Sequence, residues 1–245
     1  MLLAIDIGNT NISLGIFRDK RLLKKNSIAT YDNNRGRYLK KFFIQNKIKD
    51  VIICSVVPEI TGVVEKELIK LLAKRAYILG DNIKVPVKNL YSKPGQVGQD
   101  RLVNAYYSIM NYGSPLIVID FGTAVTFDVI SKRKEYIGGM ILPGLKISLE
   151  TLCDKTALLP RVKLNKPCEF IGRDTKNSML SGIVYGFSCL CECLTEKIKA
   201  KIGKNTKIII TGGDVGLIKQ YYKKNCIIDP DVAIKGLNLI YLNKK

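Results

Sequence analysis

The sequence predicts a mixed α/β fold made of two related halves, and three observations predict it. Short apolar, β-branched runs alternate with segments of helical period along the whole chain. Three strands followed by a helix open the chain, and the same order returns after Pro115. The leading strand of each half ends alike, in Ala4-Ile5-Asp6-Ile7-Gly8-Asn9-Thr10 and in Val118-Ile119-Asp120-Phe121-Gly122-Thr123-Ala124-Val125-Thr126. The two aspartates are separated by nearly half of the 245 residues. The division expected is residues 1–113 and 114–245, two domains facing across a cleft.

Leu2–Gly8, Asn11–Arg18 and Leu22–Ala29 read as successive strands joined by short polar turns. After a polar loop, Tyr38, Leu39, Phe42 and Phe43 recur at helical spacing to about Asn46. Val51–Val57 has the length and flanks of a buried strand. Pro58-Glu59 suits a first helical turn, and Ile60, Val63, Val64, Leu68, Leu71 and Leu72 then line one face. Tyr77–Leu79 is a brief strand. Residues 80–98 lack periodic apolars and read as a functional loop or a linker. A helix begins at Gly98-Gln99-Asp100-Arg101 and closes at Tyr112-Gly113-Ser114-Pro115, the expected boundary.

The second half opens with strands Leu116–Asp120, Val125–Ile130 and Glu135–Met140. Pro143-Gly144 leads into an amphipathic helix through Leu152, and Lys155–Asp174 reads as loop. A long helix, Thr175–Ile202, precedes the buried strand Ile208–Ile210 and the turn Thr211-Gly212-Gly213-Asp214. A short helix, a strand at Ile227–Ile228 and a terminal helix, Asp231–Leu242, finish the chain.

Composition bounds the chemistry. With no histidine, the chain has no Ser-His-Asp or Cys-His triad and no His-ligated zinc. A general base must come from Asp, Glu, Lys, Tyr or Cys. The formal net charge is +19, but only nine of the 40 basic residues are arginine and the lysines form no block. A solvated lysine surface is therefore preferred to a nucleic-acid partner. Seven cysteines without framework spacing suggest a reduced, cytoplasmic chain. The start, Met1-Leu2-Leu3-Ala4-Ile5-Asp6, does not read as a signal peptide, and no membrane partner is expected. Cys189, Cys191 and Cys193 read as buried apolar cysteines rather than metal ligands.

The strand-end turns carry the candidate chemistry. A Gly8-Asn9-Thr10 turn can aim backbone N–H groups at phosphate oxygens. Thr10, Asn11 and Ser13 add side-chain donors, and Asp6 can hold a hydrated Mg²⁺. A plain hairpin would use the same residues, but two copies in one frame favour phosphate binding. Gly212 and Gly213 would let an adenine or ribose lie on bare backbone, or they form a simple strand-to-helix turn. Asp100 reads as a base or as a capping aspartate, and a helix N-terminus would lower its pKa. Arg101 can grip a carboxylate through two parallel hydrogen bonds, or lie on the surface.

Asp6–Thr10, Gly98–Arg101, Asp120–Thr126 and Gly212-Gly213-Asp214 resemble, in order, the motif series of the type III pantothenate kinases. The likeness continues through Gly138–Gly144, Thr156–Pro160 and Gly172–Thr175. Gln99 stands where the family usually has alanine, and Asp174 where asparagine is common. The resemblance implies two ribonuclease H-like, actin-like ATPase domains and ATP-dependent phosphorylation of pantothenate, the first step towards coenzyme A. It implies ATP contacts from Asp6, Ile7, Gly8, Asn9, Thr10, Asn11, Ile12, Ser13, Thr123, Gly212 and Gly213, with Asp6 ordering Mg²⁺ through water. It implies a K⁺ or NH₄⁺ ion at Asp120, and pantothenate contacts from Tyr91, Gly98, Gln99, Asp100, Arg101 and Thr175, with Asp100 as base. It also implies a homodimer. A non-catalytic regulator on the same scaffold, or a sugar or acetate kinase, are the alternatives. The retained Asp6, Asp100, Arg101 and Asp120 argue against the first, and the short chain against the second.

Overall fold

The computed structural model describes residues 1–244. These form two compact units, residues 1–110 with 231–244, and residues 111–230.

In the first unit, β1 (Leu2–Ile7) pairs antiparallel with β2 (Asn11–Arg18), which pairs with β3 (Arg21–Ala29). On its other side β1 runs parallel to β4 (Asp50–Ser55), and β4 to β5 (Tyr77–Ile78), giving the order β3-β2-β1-β4-β5. A parallel pair needs a crossover. Helix α1 (Arg35–Gln45) lies between β3 and β4, and α2 (Pro58–Leu72) between β4 and β5. Side chains alternate along a strand, so both faces of β1 are used. Leu3, Ile5 and Ile7 join Leu39, Phe42, Val64 and Leu68 in one core. Leu2 and Ala4 join Ile52, Cys54, Val103, Tyr106, Ile234 and Leu237 in another. The second core holds α3 (Gln99–Tyr112) and α7 (Val232–Leu242). Between β5 and α3 lie a two-residue strand, β6 (Lys88–Asn89), and a 3₁₀ turn at Pro94–Gln96.

The second unit repeats the plan. Strand β7 (Leu116–Phe121) pairs antiparallel with β8 (Ala124–Ile130), and β8 with β9 (Glu135–Pro143). On the other side β7 runs parallel to β10 (Lys207–Thr211), and β10 to β11 (Ile227–Ile228). Helices α4 (Leu145–Lys155), α5 (Thr175–Ile202) and α6 (Val215–Ile218) complete the unit. Ile117, Ile119 and Phe121 pack with Leu149, Leu180, Val184 and Ile218. Helix α5 is long and apolar enough to cross a bilayer by length and composition. It instead lays Met179, Leu180, Ile183, Val184, Cys191 and Ile198 into this core.

The observed division differs from the expected one in two respects: the chain passes to the second unit after Met110 rather than after residue 113, and it returns to the first unit at Asp231. Helix α7, assigned by sequence order to residues 114–245, packs in the first unit against β1, β2 and β4. Two glycines seat it. A Cβ on Gly15 would lie 2.3 Å from Ile234 Cγ2, and one on Gly236 would lie 2.6 Å from Val103 Cγ1. The cysteine expectation also needs correction. Cys191 is buried, but Cys189 and Cys193 are exposed on α5. Among the described residues no group of three His, Cys, Asp or Glu side chains could hold a metal.

The close approach at Gly15 makes a stability prediction. Gly15→Ala forces β2 and α7 apart, and overpacking of this kind costs about 1–3 kcal/mol. Urea unfolding is expected to show a lower midpoint with an unchanged slope.

Candidate active site

Parity aims Asp6. Its neighbours Ile5 and Ile7 face the core containing α1 and α2, so Asp6 projects to the face of β1 that carries Leu2 and Ala4. Register places it opposite Ser13 on β2 and Cys54 on β4. The turn beyond is closed by the Gly8 N–H donating to the Asn11 carbonyl at 3.0 Å. A Cβ on Gly8 would stand 3.2 Å from that same oxygen, so a bare backbone suits the turn. Asn9, Thr10 and Asn11 are exposed, whereas Ile7 and Ile12 are fully buried and can offer a ligand only their main chain.

The end of β4 is fastened beside this turn. The Val56 N–H donates to the Ile7 carbonyl at 3.1 Å. Ser55 Oγ accepts from the Val57 N–H at 3.0 Å and from the Thr61 hydroxyl at 2.6 Å, fixing the entry to α2. Val56 Cγ1 in turn approaches Gly98, where a Cβ would stand 3.9 Å from it and only 2.4 Å from Asp100 Oδ1. Gly98 therefore leaves the space that the Asp100 carboxylate fills.

Asp100 lies in the first turn of α3. Burial raises its pKa, and this outweighs the hydrogen bond from the Arg101 backbone N–H, the Arg101 charge and its own N–H, which all lower it. The helix start does pull in the direction expected from sequence, but desolvation wins. Arg101 is 8% exposed, so it is not a surface arginine. Gln99 folds over Gly80, whose φ is +84° and where a Cβ would meet the Gln99 side chain at 3.2–3.3 Å. Tyr91 is half-buried, and its N–H donates to Asn89 Oδ1 at 3.0 Å.

Cys54 is the residue that sequence reasoning passed over. It is 1% exposed, and its thiol pKa is pushed well up by burial, then by the charges of Asp6 and Asp100. The thiol thus senses both carboxylates, which joins Asp6 and Asp100 into one electrostatic neighbourhood. Its register opposite Asp6 was the available signal, once strand pairing was known.

In the second unit Asp120 takes the equivalent place, one residue before the end of β7 and opposite Thr126. The Gly122 N–H donates to the Ala124 carbonyl at 3.1 Å, closing the turn, and Thr123 is exposed on it. The Thr123 carbonyl accepts from the Gly144 N–H at 3.0 Å. A Cβ at Gly144 would fall 2.3 Å from that carbonyl oxygen, so the start of α4 sits directly on the turn. Gly212 has φ +104°, and a Cβ there would be 2.5 Å from both Asp120 Oδ1 and the Phe121 carbonyl oxygen. Only glycine fits both the backbone angle and the space. Gly213 is exposed, with nothing within 4 Å of where its Cβ would be. Asp214, which the sequence reading left without a role, donates its N–H to the Phe121 carbonyl at 3.0 Å. Burial raises its carboxyl pKa against the opposing charge of Lys146.

Thr175 is exposed at the first position of α5. Before it, Asp174 caps the helix by accepting from the Asn177 N–H at 2.8 Å, which holds its carboxyl below the usual range. The departure from asparagine thus retains a good N-cap. Asp6, Gly98 and Asp100 are gathered in the first unit, and Asp120, Thr123 and Gly212 in the second.

The family model described as type III pantothenate kinase matches residues 2–197. Proteins named type III pantothenate kinase from Geotalea daltonii and Brevibacillus brevis are each 38% identical, with the alignments covering 98% of this chain and 98% of theirs. Among solved structures, the activator of 2-hydroxyisocaproyl-CoA dehydratase from Clostridium difficile, with bound ADPNP, has a TM-score of 0.57 at 10% identity. That match covers 98% of this chain and 93% of that one. A protein from Sinorhizobium meliloti described as a 2-dehydro-3-deoxygalactonokinase has a TM-score of 0.63 at 12% identity, covering 98% and 96%. These two likenesses speak to the fold alone, a pair of actin-like α/β units. Aligned from end to end with named kinases, and carrying an aspartate at the same strand position in each unit, the chain belongs to the type III pantothenate kinase family.

Proposed function

We propose that this chain transfers the γ-phosphoryl group of ATP to the primary hydroxyl of pantothenate, giving 4'-phosphopantothenate, with Asp100 as general base. The carrying observation is Asp100 itself: a half-buried carboxylate whose pKa is raised by desolvation, beside the end of β4 and sharing its surroundings with Asp6. Phosphoryl transfer asks the protein mostly for positioning and charge stabilisation. Asp100 accepts a hydrogen bond from the acceptor alcohol, orients it and takes its proton as the bond to phosphorus forms. Its raised pKa makes it a better base than a helix-capping carboxylate would be. Gly98 leaves the carboxylate room, and Tyr91, Gln99, Arg101 and Thr175 complete the proposed pantothenate contacts.

The turn Gly8-Asn9-Thr10, with Asn11 and Ser13, is assigned to the phosphates of ATP, and Thr123, Gly212 and Gly213 to further nucleotide contacts. When bound, ATP would supply the phosphoryl group and Mg²⁺, held by Asp6 through water, would neutralise charge on the phosphates. The donor set fits this use. Mg²⁺ commonly takes one or two carboxylates, keeps its waters and leans on substrate phosphates. Asp6 supplies a carboxylate near the end of β1, and no group of three His, Cys, Asp or Glu side chains that could hold a metal exists among the described residues. Asp120, with the Phe121 carbonyl packed close against the same glycine, offers hard oxygens suited to K⁺ or NH₄⁺. The cytoplasm is the assigned compartment.

A homodimer is part of the proposal. Phe170 and Ile171 are adjacent apolar residues, 67% and 75% exposed. Phe170 meets Tyr185 edge-on at 4.9 Å, and the Ser178 hydroxyl donates to the Gly172 carbonyl at 3.1 Å. Adjacent exposed apolar side chains of this kind suit burial by a second copy.

Asp100→Asn is expected to cut turnover about a hundredfold or more, the usual weight of a general base, while the KM for ATP stays within about twofold. In ADP-release assays, the acid limb of kcat/KM set by Asp100 should vanish with it. Stability gives an independent readout. A folded pKa above the unfolded value means that stability is greatest below the unfolded pKa and is lost as pH rises through the folded one. The Tm advantage of Asp100→Asn over the parent should therefore be largest near pH 8 and narrow as pH falls into the carboxylate range. Asp120→Asn should flatten the K⁺ titration of activity. Ile171→Asp should shift the sedimentation coefficient from dimer to monomer.

A further inference from the structure

The phosphate turn of the first unit is held by a residue that lies in the loop after β3. Thr30 is completely buried. Its backbone N–H donates to the Thr10 carbonyl at 3.0 Å, and its hydroxyl donates to the Gly8 carbonyl at 2.7 Å. One residue thus grips both ends of the Gly8-Asn9-Thr10 turn. Thr30 is itself held from behind, because Arg35 Nη1 donates to the Thr30 carbonyl at 2.5 Å. That bond is charge-assisted and stronger than a neutral one. Arg35 begins α1, so the grip is anchored to a helix.

A turn that binds phosphate through its N–H groups must have those groups pointed before the ligand arrives. The carbonyls at Gly8 and Thr10 belong to the peptide planes that continue into the Asn9 and Asn11 N–H groups. Fixing these two carbonyl oxygens therefore fixes the direction of the two donors. We propose that Thr30 is a positioning residue for nucleotide phosphate binding, acting through the planes of the Gly8–Asn9 and Thr10–Asn11 peptides, with Arg35 as its anchor. The proposal rests on the assignment of this turn to ATP. Neither residue touches the nucleotide in this scheme.

The test is steady-state ADP release at saturating pantothenate with ATP varied, on purified Thr30→Val, Thr30→Ser, Arg35→Met and Thr10→Ala proteins. Valine keeps the volume and the N–H and removes only the hydroxyl. Thr30→Val is expected to raise the KM for ATP about three- to tenfold, the weight of one hydrogen bond. Its kcat and its KM for pantothenate should stay within about threefold. Thr30→Ser should restore the parent KM, because it keeps the donor. Arg35→Met should raise the KM for ATP about two- to fivefold, and it carries the test if Thr30→Val does not fold. A drop in Tm with no change in the KM for ATP would leave Thr30 a structural residue and overturn the proposal, as would an equal KM rise in Thr30→Ser. If Thr10→Ala raises the KM for ATP and neither Thr30→Val nor Arg35→Met does, the brace fails and the turn assignment stands. If all three leave it unchanged, the turn assignment fails and the brace with it.

Discussion

Strand parity sets where the chemistry can be. On β1 the residues Leu3, Ile5 and Ile7 must face one core, so Asp6 has to project from the other face, beside Cys54. On β7 the residues Ile117, Ile119 and Phe121 impose the same choice on Asp120. A one-residue slip of either strand would put the aspartate into a hydrocarbon core and a core isoleucine or phenylalanine in its place. The hydrophobic pattern that stabilises each sheet is therefore also what aims each carboxylate. The parallel partners β4 and β10 end level with them, because Asp6 pairs with Cys54 and Asp120 with Thr211.

Two opposing effects act on Asp100, and their balance gives it a use. The start of α3 and the neighbouring Arg101 favour the ionised form. Removal from water disfavours it, and that effect is the larger. The same dry surroundings reach Cys54, whose thiol is kept protonated by burial and by Asp6 and Asp100. A neutral sulfhydryl beside these acids adds no charge to a region already carrying two carboxylates. Gly98 contributes by having no side chain, since its Cβ would occupy the place of Asp100 Oδ1.

Much of this was legible in the sequence for a local reason. The β-branched runs, the turn residues at Gly8 and Gly122, and the two strand-end aspartates are each contained within about ten residues. Their repetition gave the two-unit plan. What escaped depends on contacts between distant positions. Helix α7 is amphipathic wherever it docks, and only Gly15 and Gly236 reveal that it covers the first sheet. Asp100 carries a helix-start signature that predicts a lowered pKa, while its burial is a tertiary fact. Cys189 and Cys193 share a helix face, but which face meets the core follows from the packing of Leu180, Val184 and Cys191. Thr30 follows an ordinary strand, twenty-two positions from Gly8, with no local pattern to mark it.

The two strand-end turns differ in a way that register alone does not require. In the first, Gly8 closes on Asn11 and the turn is gripped from the β3 side by Thr30. In the second, which is one residue shorter, Gly122 closes on Ala124 and the support comes from the start of α4 through Gly144. Thr30 braces with a side chain, so its grip can be tuned by substitution. Gly144 braces with bare backbone, and any side chain there strikes the Thr123 or Gly122 carbonyl. A repeated fold has thus kept the aspartate, the strand position and the parity in both copies while changing what holds the loop. The longer turn carries three consecutive exposed polar residues, Asn9, Thr10 and Asn11, where the shorter exposes only Thr123. More exposed donors need more restraint, and this is the copy in which a buried hydroxyl and a charge-assisted bond supply it.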